Sequence, residues 1–214
     1  MNLLLYGAPG SGKGTQANML RSHFGIPHIA TGDMLRAEIA AGTELGRKAQ
    51  PILASGQYVS DDIMIGMIRN RLRQPDCEPG FIIDGFPRTV PQANALDVLM
   101  VGLGKRFDRV IYLKVPIDEL LRRLSGRLVC PQCQRTYPPG TSVCQGDGSG
   151  LVQREDDKPE AVRPRIEIYL DKTIPVLDHY RAAGLVSEID GLGTIEEISR
   201  QVLAAANGRV KTAR

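Results

Sequence analysis

The chain has 214 residues, 42% apolar and 24% charged, the profile of a globular protein with one sizeable core. A net charge of only +3 argues against a general nucleic-acid binder. There is no signal-type leader and no apolar run of about 18 residues, so a soluble, cytoplasmic protein without membrane or nucleic-acid partners is expected. In that compartment Cys77, Cys130, Cys133 and Cys144 read as thiols or metal ligands, not disulfides. Of the 27 basic residues 20 are arginine, whose planar fork suits phosphate, although arginine-favouring codon usage explains the bias equally well.

The first predicted strand, Asn2–Tyr6, runs into Gly7-Ala8-Pro9-Gly10-Ser11-Gly12-Lys13-Gly14-Thr15, which opens a helix over 12–24. Glycines let backbone N–H groups turn toward an anion, and the helix start adds its positive end. Lys13 supplies a mobile charge for the β- and γ-phosphates of a nucleoside triphosphate. Gly14 stands where the P-loop pattern places Ser or Thr, and Thr15 follows one residue later. The segment 29–57 then holds two short helical pieces instead of one crossover helix. A helix over 61–73 follows, with Ser60 as its cap and Asp61 and Asp62 at its positive end. Cys77 lies alone in a polar loop as a bystander.

Further on come a strand at Phe81–Asp84, a helix over 92–101, a strand over 109–115 and a helix over 117–124. A helix over 159–183 should be kinked or shifted by Pro164 and bent by Pro175; a strand over 185–189 and a helix capped by Thr194 end the pattern. Strand–helix alternation predicts an α/β fold, a parallel sheet flanked by helices, with ligands at the carboxyl ends of its strands.

The segment 127–157 is rich in Pro, Gly, Cys and Gln and cannot bury a core of its own, so it should project. Cys130-Pro-Gln-Cys133 and Cys144-Gln-Gly-Asp147 form two ligand-x-x-ligand knuckles. Three thiolates and a carboxylate suit tetrahedral structural Zn²⁺, which would stabilise the segment. A redox Cys pair would begin a helix after a strand, which this one does not, and a metal-free segment is the other reading.

The remaining motifs are Thr31-Gly-Asp-Met-Leu-Arg36, Asp84-Gly-Phe-Pro-Arg88 with Gln92 beyond it, Arg122, Arg123 and Arg127 before the projecting segment, and Arg154 and Arg165 after it. With the glycine loop, GAPGSGKGT, TGDMLR, DGFPRT followed by PQ, and REDD closely resemble adenylate kinase, over essentially the whole chain. The knuckles resemble the zinc-bearing lid of some bacterial members. The resemblance implies a core P-loop domain (1–29, 60–126 and 159–214), an AMP-binding domain (30–59) and a zinc-binding lid (127–158). It implies ATP + AMP ⇌ 2 ADP with Mg²⁺, a role in nucleotide biosynthesis, and a monomer whose partners are the nucleotides ATP, AMP and ADP.

Carried over by position, Gly10, Ser11, Gly12, Lys13, Gly14 and Thr15 hold the phosphates of ATP, and Arg127, Thr136, Tyr137 and the Gly193 backbone contact its nucleoside. AMP falls to Thr31, Arg36, Gln57, Tyr58, Val59, Gly85, Phe86, Pro87, Arg88 and Gln92. Lys13, Arg88, Arg123, Arg154 and Arg165 surround the moving phosphoryl group, the last two also reaching AMP. Asp84 and Asp33 hold Mg²⁺ through water, which makes the hydroxyl missing at Gly14 matter less. The lid is shorter between Cys133 and Cys144 than in that subgroup, Gly193 replaces a common lysine, and Pro164 replaces a helix-friendly residue.

The nucleophile would be a phosphate oxygen of AMP, ionised above a second pKa of about 6, so no base is needed. The histidines (His23, His28 and His179) lie outside the motifs and read as structural or exposed. Catalysis then consists of positioning and charge neutralisation, with closure excluding water. A UMP or CMP kinase is the nearest alternative. A regulatory P-loop switch would need Asn-Lys-x-Asp, which is absent, and a zinc-knuckle nucleic-acid binder would need more basic and aromatic residues around the cysteines.

Overall fold

The computed structural model describes residues 1–208, so the last six residues of the expected core segment lie outside the described part. A five-stranded parallel sheet holds β1 (Asn2–Tyr6), β2 (His28–Ala30), β3 (Phe81–Asp84), β4 (Arg109–Lys114) and β7 (Val186–Asp190), in the order β2-β3-β1-β4-β7. β1 sits at its centre and is apolar on both faces, as a doubly covered strand must be. Leu4 and Tyr6 join the cluster of Ile83, Phe86 and Leu96, while Leu3 and Leu5 join Ala17, Leu20, Ile198 and Val202 on the other side.

The helices follow the expected places with small shifts in their ends. They are α1 (Lys13–Phe24), α2 (Thr31–Ala40), α3 (Glu44–Ala54), α4 (Asp61–Leu72), α5 (Val90–Gly102) and α6 (Ile117–Ser125). The short strand β2 has no separate signal in the sequence, because its three residues pass directly into α2 at Thr31. Ser60 does stand at the N-cap of α4, but its side chain accepts no capping bond. Thr89, by contrast, caps α5 by accepting from the Gln92 N–H at 3.2 Å. Cys77, expected in a polar loop, is fully buried against Arg71, whose Nη1 donates to its sulfur at 3.0 Å.

The projecting segment carries a two-stranded antiparallel ribbon, β5 (Leu128–Val129) with β6 (Thr136–Tyr137). The long helix beyond it is α7 (Pro159–Ile168), a widened π turn (Tyr169–Thr173) and α8 (Ile174–Ala182). Pro164 is accommodated inside α7, and the break falls just before Pro175. Pro175 has no N–H to return to Asp171, so the ladder widens there. Thr194 forms a full capping box with Glu197 at the start of α9 (Ile195–Ala206). No helix among the described residues is long and apolar enough to cross a membrane.

Candidate active site

The loop after β1 wraps the start of α1. Gly12 occupies its N-cap at φ 94°, a left-handed conformation that glycine adopts without a Cβ penalty. A Cβ on Gly7 would lie 2.9 Å from the Leu113 carbonyl oxygen, so the loop also needs glycine to pass β4. No side chain caps α1, which leaves its first N–H groups for an anion. Lys13 Nζ donates to the carbonyls of Gly7 and Ala8 at 2.9 and 3.0 Å. Burial lowers its pKa to about 8, against Asp84, with Arg88, Arg127 and Arg165 adding to the depression.

One cleft joins this loop to the carboxyl ends of the strands. Its walls include Gly10, Gly12, Lys13, Gly14 and Thr15 on one side and Asp33, Arg36, Gln57, Tyr58 and 84–88 on the other. Arg123, Arg127, Thr136, Arg154 and Arg165 close it. Six arginines thus line the cleft, and the charges of Arg88, Arg127 and Arg165 bear on Lys13, where cations would ordinarily repel. Burial, with Arg36 and Arg127 nearby, drives the Arg154 guanidinium down to about 10, and burial also lowers Arg165. Such a cluster is stable when an anion with several oxygens neutralises it.

Carboxylates hold the cluster in place from behind. Fully buried Asp157 accepts from Arg127 Nε and Nη2 at 2.7 and 2.5 Å and from Arg165 Nη1 at 2.9 Å. Asp156 pairs with Arg165 at 3.1 Å, and Asp33 pairs with Arg36 and, at 3.4 Å, with Arg154. Asp33 therefore faces Arg36 and Arg154, and Asp84 is the carboxylate beside Lys13. Burial opposes ionisation of Asp84, but a hydrogen bond from His28 and the charges of Lys13 and Arg88 outweigh it and lower its pKa. His28 Nε2 lies 3.3 Å from Asp84 Oδ2 on the cleft wall, a neighbour that its position outside the motifs conceals.

Several expected contacts are placed differently. Arg123 donates to Glu119 Oε1 at 2.7 Å and to the Gly191 carbonyl at 2.9 Å, whereas Arg127 is held by Asp157 and its charge bears on Lys13. Thr31 is fully buried, its hydroxyl donating to Gly85 O at 2.9 Å. Gln92 is buried, its Oε1 accepting from the Arg88 N–H at 2.8 Å and its Nε2 donating to Asp61 Oδ1 at 2.7 Å. Ser11, Val59 and Gly193 lie outside the cleft walls, with the Ser11 hydroxyl buried and without a partner among the described residues. Tyr137 is turned away as well, its hydroxyl 3.2 Å from Cys144 Sγ. Spacing alone could not reveal these directions, because each depends on how the side chain packs against neighbours in the fold.

In the projecting segment the ligand atoms of Cys130, Cys133, Cys144 and Asp147 all lie within 4.8 Å of one another. Cys133 Sγ and Cys144 Sγ are 3.5 Å apart, close to the roughly 3.8 Å edge of a tetrahedron with Zn–S bonds of about 2.3 Å. Backbone N–H groups of Gln132 and Cys133 donate to Cys130 Sγ, and that of Gly146 to Cys144 Sγ, each at 3.3 Å. N–H donors aimed at sulfur stabilise thiolates, so the donor set fits zinc.

A P-loop after the first strand, sharing one arginine-walled cleft with the carboxyl ends of a parallel sheet, defines a phosphotransferase of the P-loop kinase class. The adenylate kinase family model matches residues 5–185. Over 211 residues the chain is 50% identical to an adenylate kinase of Trichlorobacter lovleyi, covering 96% of this chain and 99% of that protein. It is 46% identical to one of Kosmotoga olearia (94% and 97% covered) and 45% identical to one of Archaeoglobus fulgidus (95% and 97%). The chain belongs to the adenylate kinase family, and its reaction is phosphoryl transfer between ATP and AMP; the UMP or CMP alternative is not favoured.

Proposed function

We propose that ATP lies with its phosphates on the glycine loop and AMP in the pocket walled by Arg36, Tyr58 and Arg88, with the γ-phosphoryl group passing between them. The observation that carries this reading is the convergence of Arg88, Arg127 and Arg165 on Lys13 in one cleft. Their charge matches that of the transferring group, whose oxygens gain charge as the bond to ADP loosens. In this reading the segment 30–59 is the AMP-binding unit, 127–158 the lid, and the rest of the described chain the core.

Arg127 takes the place among the transfer residues that sequence reasoning gave to Arg123, and Arg123 flanks the donor nucleoside. Asp157 and Asp156 aim Arg127 and Arg165. Asp33 holds Arg36 and Arg154 against the AMP phosphate. Gln92 also steadies the AMP pocket through the Arg88 backbone and Asp61. Thr31 acts the same way, by fixing the Gly85 turn.

Adenylate kinases use Mg²⁺ with ATP, and Asp84 is the residue suited to hold it here through water. When bound, the ion would supply positive charge to neutralise the phosphate oxygens. Zn²⁺ would be held by Cys130, Cys133, Cys144 and Asp147, cross-linking the ribbon that carries Thr136. A monomer in the cytoplasm completes the proposal. The test is a coupled assay of ADP formation from MgATP with AMP, UMP, CMP or GMP: strong preference for AMP supports it, and equal use of the four contradicts it.

A further inference from the structure

We infer that Tyr58, working through Thr173, is a positioning residue for Arg88. This inference rests on the proposed role of Arg88 at the AMP phosphate. The Arg88 guanidinium carbon lies 4.9 Å above the centre of the Tyr58 ring. The Tyr58 hydroxyl is 2.9 Å from Thr173 Oγ1, which in turn donates to the Arg88 carbonyl at 3.0 Å. Threonine has one hydroxyl proton and it is spent on that carbonyl, so Tyr58 is the donor to Thr173. One tyrosine thus supports the guanidinium through its face and the backbone of the same arginine through its hydroxyl.

The surroundings make this a built arrangement. Tyr6, at the end of the strand that feeds the glycine loop, donates to the Pro87 carbonyl at 2.8 Å and fixes the preceding peptide. Thr173 is buried and sits at the end of the π turn, the one place where the long helix departs from regular geometry. Arg88 Nε donates to Gly85 O at 2.6 Å, and among the described residues its two Nη groups meet no protein acceptor. Tyr58 therefore holds the arm while leaving its fork open to phosphate. Pre-ordering a long side chain lowers the entropy lost when the fork binds, and a cation over an aromatic face away from bulk water strengthens the hold. Because Tyr58 lies between α3 and α4, the clamp also ties the end of the AMP-binding segment to the core.

The experiment compares Tyr58→Leu, Tyr58→Phe and Thr173→Val in the wild-type and Arg88→Lys backgrounds, using purified full-length protein with MgATP and AMP. Tyr58→Leu should lower kcat/KM for AMP by about tenfold with KM for ATP unchanged. Tyr58→Phe and Thr173→Val, which keep the ring but break the hydroxyl chain, should each cost about threefold. In the Arg88→Lys background, Tyr58→Leu should add little. A Tyr58→Leu enzyme with wild-type kcat/KM for AMP, or one that loses as much in the Arg88→Lys background as in wild type, overturns the inference. Tyr58→Phe is nearly isosteric, so it tests the hydroxyl chain even if the leucine variant folds poorly. Should Arg88→Lys itself turn over normally, the reading of Arg88 fails, and with it the basis of this inference. An impaired Arg88→Lys beside a normal Tyr58→Leu rejects the positioning role alone.

Discussion

Arg127 and Asp157 meet through two parallel hydrogen bonds, 2.7 and 2.5 Å long, although Asp157 has no exposed surface and its other side-chain ion pair is to Arg165. A carboxylate is costly to bury alone, and here two guanidinium groups compensate it. Asp157→Asn leaves the arginines without their counter-charge and lets both forks drift. Breaking a buried pair of this kind costs about 3 kcal/mol, which lowers Tm by roughly 6–12 °C in a chain of this size. Turnover should fall much more steeply than the remaining folded fraction explains. Calorimetry and kinetics on the same sample check this; an Asp157→Asn variant of normal Tm and rate would contradict it.

Lys13 offers a proton count. With its pKa at about 8 in the free protein, it is part-neutral just above that pH. The folded value lies below the ordinary 10.5, so the folded chain binds fewer protons than the unfolded one between those values, and this group adds stability as pH rises across that window. A triphosphate beside the ammonium restores its charge. ATP binding at about pH 8.5 should therefore take up about 0.7 proton. Titration calorimetry in buffers of different ionisation enthalpy measures it, and Lys13→Met should abolish the uptake. Binding without proton exchange would show that Lys13 is charged throughout.

The cysteine knuckles predict about one zinc per chain in reductant-protected protein. Cys144→Ser should lose the metal and speed hydrogen exchange across 127–158, with the central sheet keeping its protection. Elemental analysis showing no metal would reject the site.

Arg123 and Arg127 give opposite forecasts. Arg127→Ala should lower kcat by about 10²–10³, as removal of a charge-stabilising donor does elsewhere. Arg123→Ala should act mainly on KM for ATP and leave most of kcat. Steady-state kinetics with each nucleotide varied separates them, and the reverse pattern would return the transfer role to Arg123.

The sheet and its order of helices were legible because central strands such as β1 read as continuous apolar runs and the glycine loop marks the start of α1. Thr194 also announced α9, since an N-cap is a local device. Side-chain aim was not legible. Arg123 and Arg127 are neighbours along one segment, and only their packing against Glu119 and Asp157 sends them to different places. Tyr137 and Thr136 are adjacent too, and strand alternation turns one under the cysteines and the other to the cleft. The part played by Tyr58 and Thr173 depends on a contact across 115 residues, beyond the reach of any local pattern.

The stoichiometry of ADP formation tests the central claim most directly, followed by phosphorus NMR with MgATP in the presence and absence of AMP. Two ADP should form for each ATP consumed when AMP is present, with AMP falling in step, and almost no ATP should be lost without it. One ADP per ATP, with inorganic phosphate appearing and AMP untouched, would contradict phosphoryl transfer to AMP.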